Sequence, residues 1–270
     1  MARLKERRIK RYGWIPDLPD NRDWDYAAPR AVLETLPVKV DLRPGFARVP
    51  AYDQGQLGSC TANAIAGALQ YDQRAQKETR VMPSRLFIYY NERFIEGTVQ
   101  SDAGAMIRDG VKSVAKVGAC SEKVWPYSDD TRSSPAPFQK KPSAAAFSEA
   151  LQHQVLSYQR VAHNLTAMKA CLAEKFPFVL GFTVYDSFEN EAWWSTGKMP
   201  MPARGESVLG GHAVLVVGYD DASGSFIVRN SWGPRWGQRG YFFMPYLFAM
   251  STDPQGRSNT SDFWTLRHIE

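Results

Sequence analysis

Arg229-Asn230-Ser231-Trp232-Gly233-Pro234-Arg235-Trp236-Gly237-Gln238-Arg239-Gly240-Tyr241 is the stretch that constrains this chain most. Three glycines and two tryptophans within ten residues describe a turn that buries large aromatic surface. Core packing explains the tryptophans. It does not explain why Asn230 stands at the end of the strand-like run Ser225–Asn230, just before them. A second strand is expected beyond the turn, at Gly240–Met244.

Upstream, Gly210-Gly211-His212-Ala213-Val214-Leu215-Val216-Val217-Gly218-Tyr219 opens with two glycines and a histidine and continues as an apolar run. Such a run fits a buried strand. A lone histidine there would ordinarily be structural. The other three differ in setting: His153 and His163 sit in polar, unpatterned surroundings, and His268 is near the C-terminus. Phe176–Tyr185 reads as a further strand, and Ala162–Glu174 as a helix before it.

Further upstream lies Gln54-Gly55-Gln56-Leu57-Gly58-Ser59-Cys60. Gly55 and Gly58 shape a tight loop. Ser59 can cap a helix whose apolar positions are Ala62, Ile65, Ala66 and Leu69. Cys60 is thereby placed at a helix start, where free amides and the helix dipole favour a thiolate. A buried, inert thiol is the alternative. Pro83 and Gly97 bracket a second helix, and a third is expected over about 104–117, ending near Gly118. Helices first and strands later, joined by the Pro-rich stretch 126–143, predict an α+β chain in two lobes with a cleft between them.

Composition narrows the function. Hydrophobic content of 44% and charge content of 23% describe a globular chain rather than a disordered one. The net charge of +5 is carried by Arg3, Lys5, Arg7, Arg8, Lys10 and Arg11 against Glu6, so the rest of the chain is neutral. A charged terminus is a weaker footprint than the basic face a nucleic-acid binder carries, and no nucleic-acid partner is expected. No apolar run is long enough to span a bilayer, and no signal peptide follows the basic start. The compartment is left open between cytoplasm and a non-classical export route. Three cysteines, Cys60, Cys120 and Cys171, do not make a disulfide framework, although a Cys120–Cys171 bridge is an option. No metal cluster or phosphate loop is visible, so no cofactor is expected.

Three separated motifs, Gln-Gly-x-x-Gly-Ser-Cys, Gly-His-Ala-Val and Asn-Ser-Trp-Gly-x-x-Trp-Gly-x-x-Gly-Tyr, occur in the order Cys…His…Asn. In these the sequence resembles the papain-like cysteine peptidases, as a divergent member of bacterial type with a short N-terminal prosegment. Weaker similarity runs from Val40-Asp41-Leu42-Arg43, which looks like the family's mature start, to about Met244, and includes Trp125-Pro126-Tyr127. The resemblance implies a two-lobed fold, with a helical lobe at about 55–125 and a β lobe at about 145–270. It implies Cys60 as nucleophile, His212 as its base, Asn230 as the residue orienting that base, Gln54 as an oxyanion donor and Trp232 as a shield. Gly104, in Asp102-Ala-Gly-Ala, matches the loop that binds substrate main chain; a plain helix start capped by Asp102 is the alternative. Gly211 and Met106 are further substrate-side candidates. Leu57 and Thr61 depart from the family, replacing a disulfide cysteine and an aromatic wall residue, which fits a reducing compartment.

Residues 1–39 precede that start and are rich in Pro and Asp. They are expected to run extended across the cleft as a blocking prosegment, anchored by Trp14 and Trp24; a strap around the lobes is the alternative. The expected activity is that of a monomeric endopeptidase acting on peptides or proteins. A transglutaminase-like acyltransferase and a catalytically silent binding protein are the competing readings.

Overall fold

In the computed structural model, residues 12–47, 49–76 and 81–269 are described; the basic run ending at Arg11 lies outside them. The elements in chain order are β1 (Trp14–Ile15), α1 (Arg30–Glu34), β2 (Lys39–Asp41), α2 (Cys60–Ala75), α3 (Arg85–Glu96), β3 (Ala105–Met106), α4 (Ile107–Val117), α5 (Ala144–Ala150), β4 (Val155–Arg160), α6 (Leu165–Ala173), β5 (Phe178–Tyr185), β6 (Val208–Asp220), β7 (Ser225–Arg229), β8 (Tyr241–Pro245), α7 (Tyr246–Ala249) and β9 (Thr260–Ile269).

Helices α2, α3 and α4 make the first lobe. Ser84 caps α3 by accepting from the Phe87 amide, and Gly97 closes it in the left-handed conformation, as its sequence foretells. The third helix begins later than expected, because Ala105 and Met106 are drawn into a strand pairing. α2 is buried on nearly every side and rich in Ala and Gly, which lets neighbours come close. A Cβ on Gly110 of α4 would stand 2.3 Å from Ile65 Cδ1. On the opposite side, a Cβ on Gly67 would meet Leu215 of β6 at 3.2 Å. α2 is therefore the spine shared by both lobes.

The second lobe is an antiparallel sheet of order β4-β9-β5-β6-β7-β8, with β2 added on β6. Val40 pairs with Tyr219, so the stretch that resembles a mature start is part of this sheet. Phe182, Phe188, Phe242 and Phe248 fill its core with Trp193 and Trp236. The Asn-Ser-Trp-Gly turn packs against that cluster, with Trp232 and Trp236 edge to face at 4.9 Å. Gly240 closes the turn at φ 88°, and a Cβ there would stand 2.2 Å from Ala51 Cβ.

The stretch before β2 is more ordered than its composition suggests. Trp14 and Tyr26 are buried, and α1 interrupts the extended run. Trp24, an expected anchor, is 76% exposed; Tyr26 takes that part, its hydroxyl donating to Glu174 Oε2. All three cysteines are free and buried, Cys120 in a small cluster with Phe87 and Cys171 in the main core.

Candidate active site

Cys60 is the first residue of α2 and His212 lies on β6, so the shared spine brings the two motifs together. The backbone amides of Ala213, Gly13 and Thr61 lie near enough to the Cys60 sulfur to favour its thiolate, and Ala213 belongs to the strand that carries His212. Ser59 does not cap the helix; its hydroxyl is 2.6 Å from that of Tyr127. Burial pushes the Cys60 thiol up to about 12, overriding the three amides, while Glu92 adds to the rise. The thiolate expected at this helix start is thus not the form present when the sulfur is covered. Thr61, next to Cys60, donates to the buried Glu92 carboxyl at 2.6 Å. Burial raises the Glu92 pKa well above its usual range and so favours its neutral form.

His212 is fully buried, and its Nε2 is 2.8 Å from Asn230 Oδ1. The same oxygen accepts the Ser231 amide at 2.8 Å, which fixes it as the acceptor and gives the proton to Nε2. Trp232 lies 5.1 Å from the imidazole at a 35° tilt, and Phe182 and Tyr12 meet the ring edge to face. Asn230 holds its place because its amide donates to Gly240 O across the aromatic turn.

Gln54 is fully buried in the loop before Cys60. Its Nε2 donates to Leu57 O at 2.8 Å, and its Oε1 accepts from Ser231 at 2.6 Å. One amide proton is committed to Leu57 and the other is left to point elsewhere. Ser231 thereby links Gln54 to Asn230, and four residues from three distant motifs share one hydrogen-bonded layer. His163 lies apart, bonded to Ala249 O. Among the described residues no group of three or more His, Cys, Asp or Glu could hold a metal ion.

The substrate-side candidates are found around residues 12–17. Gly13 O accepts the Ala105 amide at 2.8 Å, and β1 pairs in parallel with β3, Ile15 opposite Met106. Gly104, at φ 79°, lies under Gly13: a Cβ on it would stand 2.2 Å from Gly13 O. Asp102 is not a helix cap; its carboxylate accepts the Gly58 amide and the Tyr89 hydroxyl. Gly211 faces the Trp14 ring. Sequence reasoning did not single out Gly181 or Asp262, which also touch Trp14, or Asp17, whose amide donates to Asp262. No sequence pattern marks them, since each matters only through a contact with the far end of the chain.

Cysteine, histidine, asparagine and glutamine, drawn from three separated motifs, are the residue types that thiol-dependent acyl-transfer chemistry calls for. The family model for papain family cysteine proteases matches residues 36–249, and the chain belongs to that family. An uncharacterised peptidase C1-like protein of Acanthamoeba polyphaga mimivirus is 35% identical, the match covering 96% of this chain and 88% of that protein. Chicken (Gallus gallus) cathepsin K is 28% identical over 82% of this chain and 60% of its own length. Among solved structures, xylellain, a cysteine protease from Xylella fastidiosa, superposes with a TM-score of 0.89 at 44% identity, covering 100% of this chain and 99% of its own. The two-lobed α+β architecture is that of this family, and the chain is a cysteine peptidase. Among the described residues no helix is long and apolar enough to cross a membrane.

Proposed function

We propose that the chain is an endopeptidase whose thioester chemistry is carried by Cys60, His212, Asn230 and Gln54, and that residues 12–26 hold it latent by covering the cleft. The observation that carries the reading is the His212–Asn230 bond of 2.8 Å under Trp232, on the strand whose Ala213 amide lies near the Cys60 sulfur. His212 takes the thiol proton, and the sulfur attacks the peptide carbonyl carbon. Gln54 Nε2–H and the Cys60 amide receive the oxyanion. The leaving amine takes the proton back from His212, and a thioester remains. Water, deprotonated by His212, then cleaves the thioester and restores the thiol. Asn230 keeps the imidazole in the required tautomer throughout.

Latency follows from the same contacts. Gly13 occupies the main-chain position over Cys60, and its neighbours desolvate the thiol. The segment is held at a distance by Tyr26 on Glu174 and by Asp23 on Arg108 and Arg160. The test is turnover of fluorogenic peptides under reducing conditions. The intact chain is compared with one cut at a protease site engineered at the exposed Thr35, each with and without Cys60→Ala. Turnover that rises on cutting and vanishes in both Cys60→Ala chains supports the reading. Equal turnover before and after cutting removes the latency part, and activity that survives Cys60→Ala removes the catalytic part.

A further inference from the structure

Two loops meet beside Cys60, and one side chain joins them. The first runs from Gln54 to Cys60, and the second, residues 98–104, leads into β3. Asp102 belongs to the second and reaches the first: the Gly58 amide donates to its two oxygens, at 3.0 and 3.1 Å. Asp102 Oδ1 also accepts the hydroxyl of Tyr89, a fully buried residue of α3. The Tyr89 oxygen in turn accepts the Gly104 amide at 3.2 Å. Arg93, one turn further along α3, donates to Val99 O at 2.9 Å and to Ser101 O at 3.0 Å, so the second loop is held to the helix on both sides of Asp102. All three cysteines are free, so the link between the two loops is this set of hydrogen bonds and no disulfide.

The contact at Gly58 bears on the chemistry through a single peptide unit. Leu57 O and the Gly58 N–H belong to the same planar group. Gln54 Nε2 donates to that oxygen at 2.8 Å, and Asp102 accepts from that N–H. Turning the plane would carry Leu57 O away from Gln54 and re-aim the second Nε2 proton, the one left for an oxyanion. Asp102 thus helps to set the direction of a donor that it does not touch. The other end of this chain of bonds is Gly104, which lies under the segment's main chain at Gly13. A peptide lying where Gly13 lies would press on Gly104, and Gly104 is tied through Tyr89 and Asp102 to the plane that orients Gln54.

We propose that Asp102 is a positioning residue that couples peptide binding to attack: it fixes the Leu57–Gly58 peptide unit, and with it the free N–H of Gln54, from the loop on which substrate main chain lies. The proposal rests on the peptidase reading above. Main-chain contacts made at Gly104, away from the scissile bond, are then expressed in kcat and not in KM alone. A carboxylate suits this place because it accepts from two donors on different elements at once.

The experiment uses the full chain folded and then cut at the engineered site. Its substrates are a small activated ester, too short to reach Gly104, and fluorogenic peptides of two, four and six residues. In wild type, kcat should rise by about tenfold or more from the shortest peptide to the longest. Asp102→Ala should flatten that rise to within about threefold and lower kcat on the longest peptide by about 30- to 100-fold, while the ester loses far less. Asp102→Asn should recover most of the loss, because Oδ1 alone can accept from both Gly58 and Tyr89. Tyr89→Phe keeps the Gly58 contact and releases Gly104, so it should weaken the dependence on length. A uniform loss on ester and peptides alike in Asp102→Ala, with no rescue by Asn, would mean a merely structural role and overturns the assignment. A full dependence on length in Asp102→Ala, or none in wild type, overturns it too. If Asp102→Ala does not fold, an undiminished dependence in Tyr89→Phe overturns it equally. Failure of wild type to turn over any peptide, with Cys60 unreactive towards alkylation after cutting, refutes the peptidase reading itself, and the positioning role falls with it.

Discussion

Replacing Trp14 with alanine tests the latency directly, because almost the whole indole is buried and only its removal, not a change in the catalytic residues, is involved. Trp14 is 8% exposed and donates to a buried carboxylate. Truncating a packed Trp costs about 3–5 kcal/mol, and here that cost falls on the covered form of the site. The closing equilibrium should therefore weaken by about two to three and a half decades. Alkylation of Cys60 by a small reagent in the intact chain reads the open fraction, since the covered thiol is protonated and shielded. The Trp14→Ala chain should be labelled at least 100-fold faster than wild type, with the cut chain as the upper limit on the rate (about 3 kcal/mol is about two decades). Trp24→Ala, at a 76% exposed position, should label like wild type. If Trp14→Ala labels at the wild-type rate while cutting accelerates labelling strongly, the indole is not what holds the segment down, and the energetic reasoning fails.

Other expectations follow from single contacts. Gln54→Ala in the cut chain should lower kcat by about 10²–10³, as loss of one oxyanion donor does, with far-UV circular dichroism unchanged. Asn230→Ala should lower kcat/KM and distort the pH profile while leaving Cys60 open to alkylation, since the ring is then free to turn; an unaltered profile would count against an orienting role. Burial, with the Asp262 charge next, raises Asp17 to about 6, Arg108 and Trp264 acting the other way, and Asp262 is raised too, first by burial. A carboxyl raised in the covered form favours that form below its free value, and the advantage is lost as pH rises through about 6. Labelling of the intact chain, normalised to the cut chain, should accordingly increase between pH 4.5 and 7, and Asp17→Asn should flatten that rise. Glu92→Gln should change thermal stability by no more than about 1 kcal/mol, because burial favours the neutral form of the native group; a large loss would mean that it is charged beneath Cys60.

The residues of the candidate site were easier to read in the sequence than the segment that lies over them. Cys60, His212 and Asn230 were legible because each sits at the junction of a Gly-bearing turn with a regular element, and such junctions leave a local pattern. The helix ends at Gly97 and Gly118 and the apolar core of β6 were legible for the same reason. β9 was not: Ser261, Asp262, Thr265 and Arg267 interrupt its apolar residues, and its burial comes from lying between β4 and β5. Trp14 and Trp24 looked alike as anchors, yet only Trp14 meets a surface stripped of side chains. Gly181 and Gly211 make that surface beside Trp14, and Gly58 and Gly104 leave the same kind of room beside Gly13. Asp262 was invisible as the partner of Trp14 for a related reason, since the two are 248 positions apart.

That separation has a consequence for biosynthesis. Trp14 and Asp17 are bonded to Asp262 and Trp264 across 248 and 247 positions, and β9 is an inner strand of the sheet rather than an edge. Ribosomal synthesis is vectorial, so β9 emerges after Cys60, His212 and Asn230. Until β9 threads between its neighbours, β4 stays separate from the β5–β8 part of the sheet that carries His212. On the latency proposed above, Trp14 can reach Asp262 only once β9 is in place, so the cover is seated after the rest of the sheet.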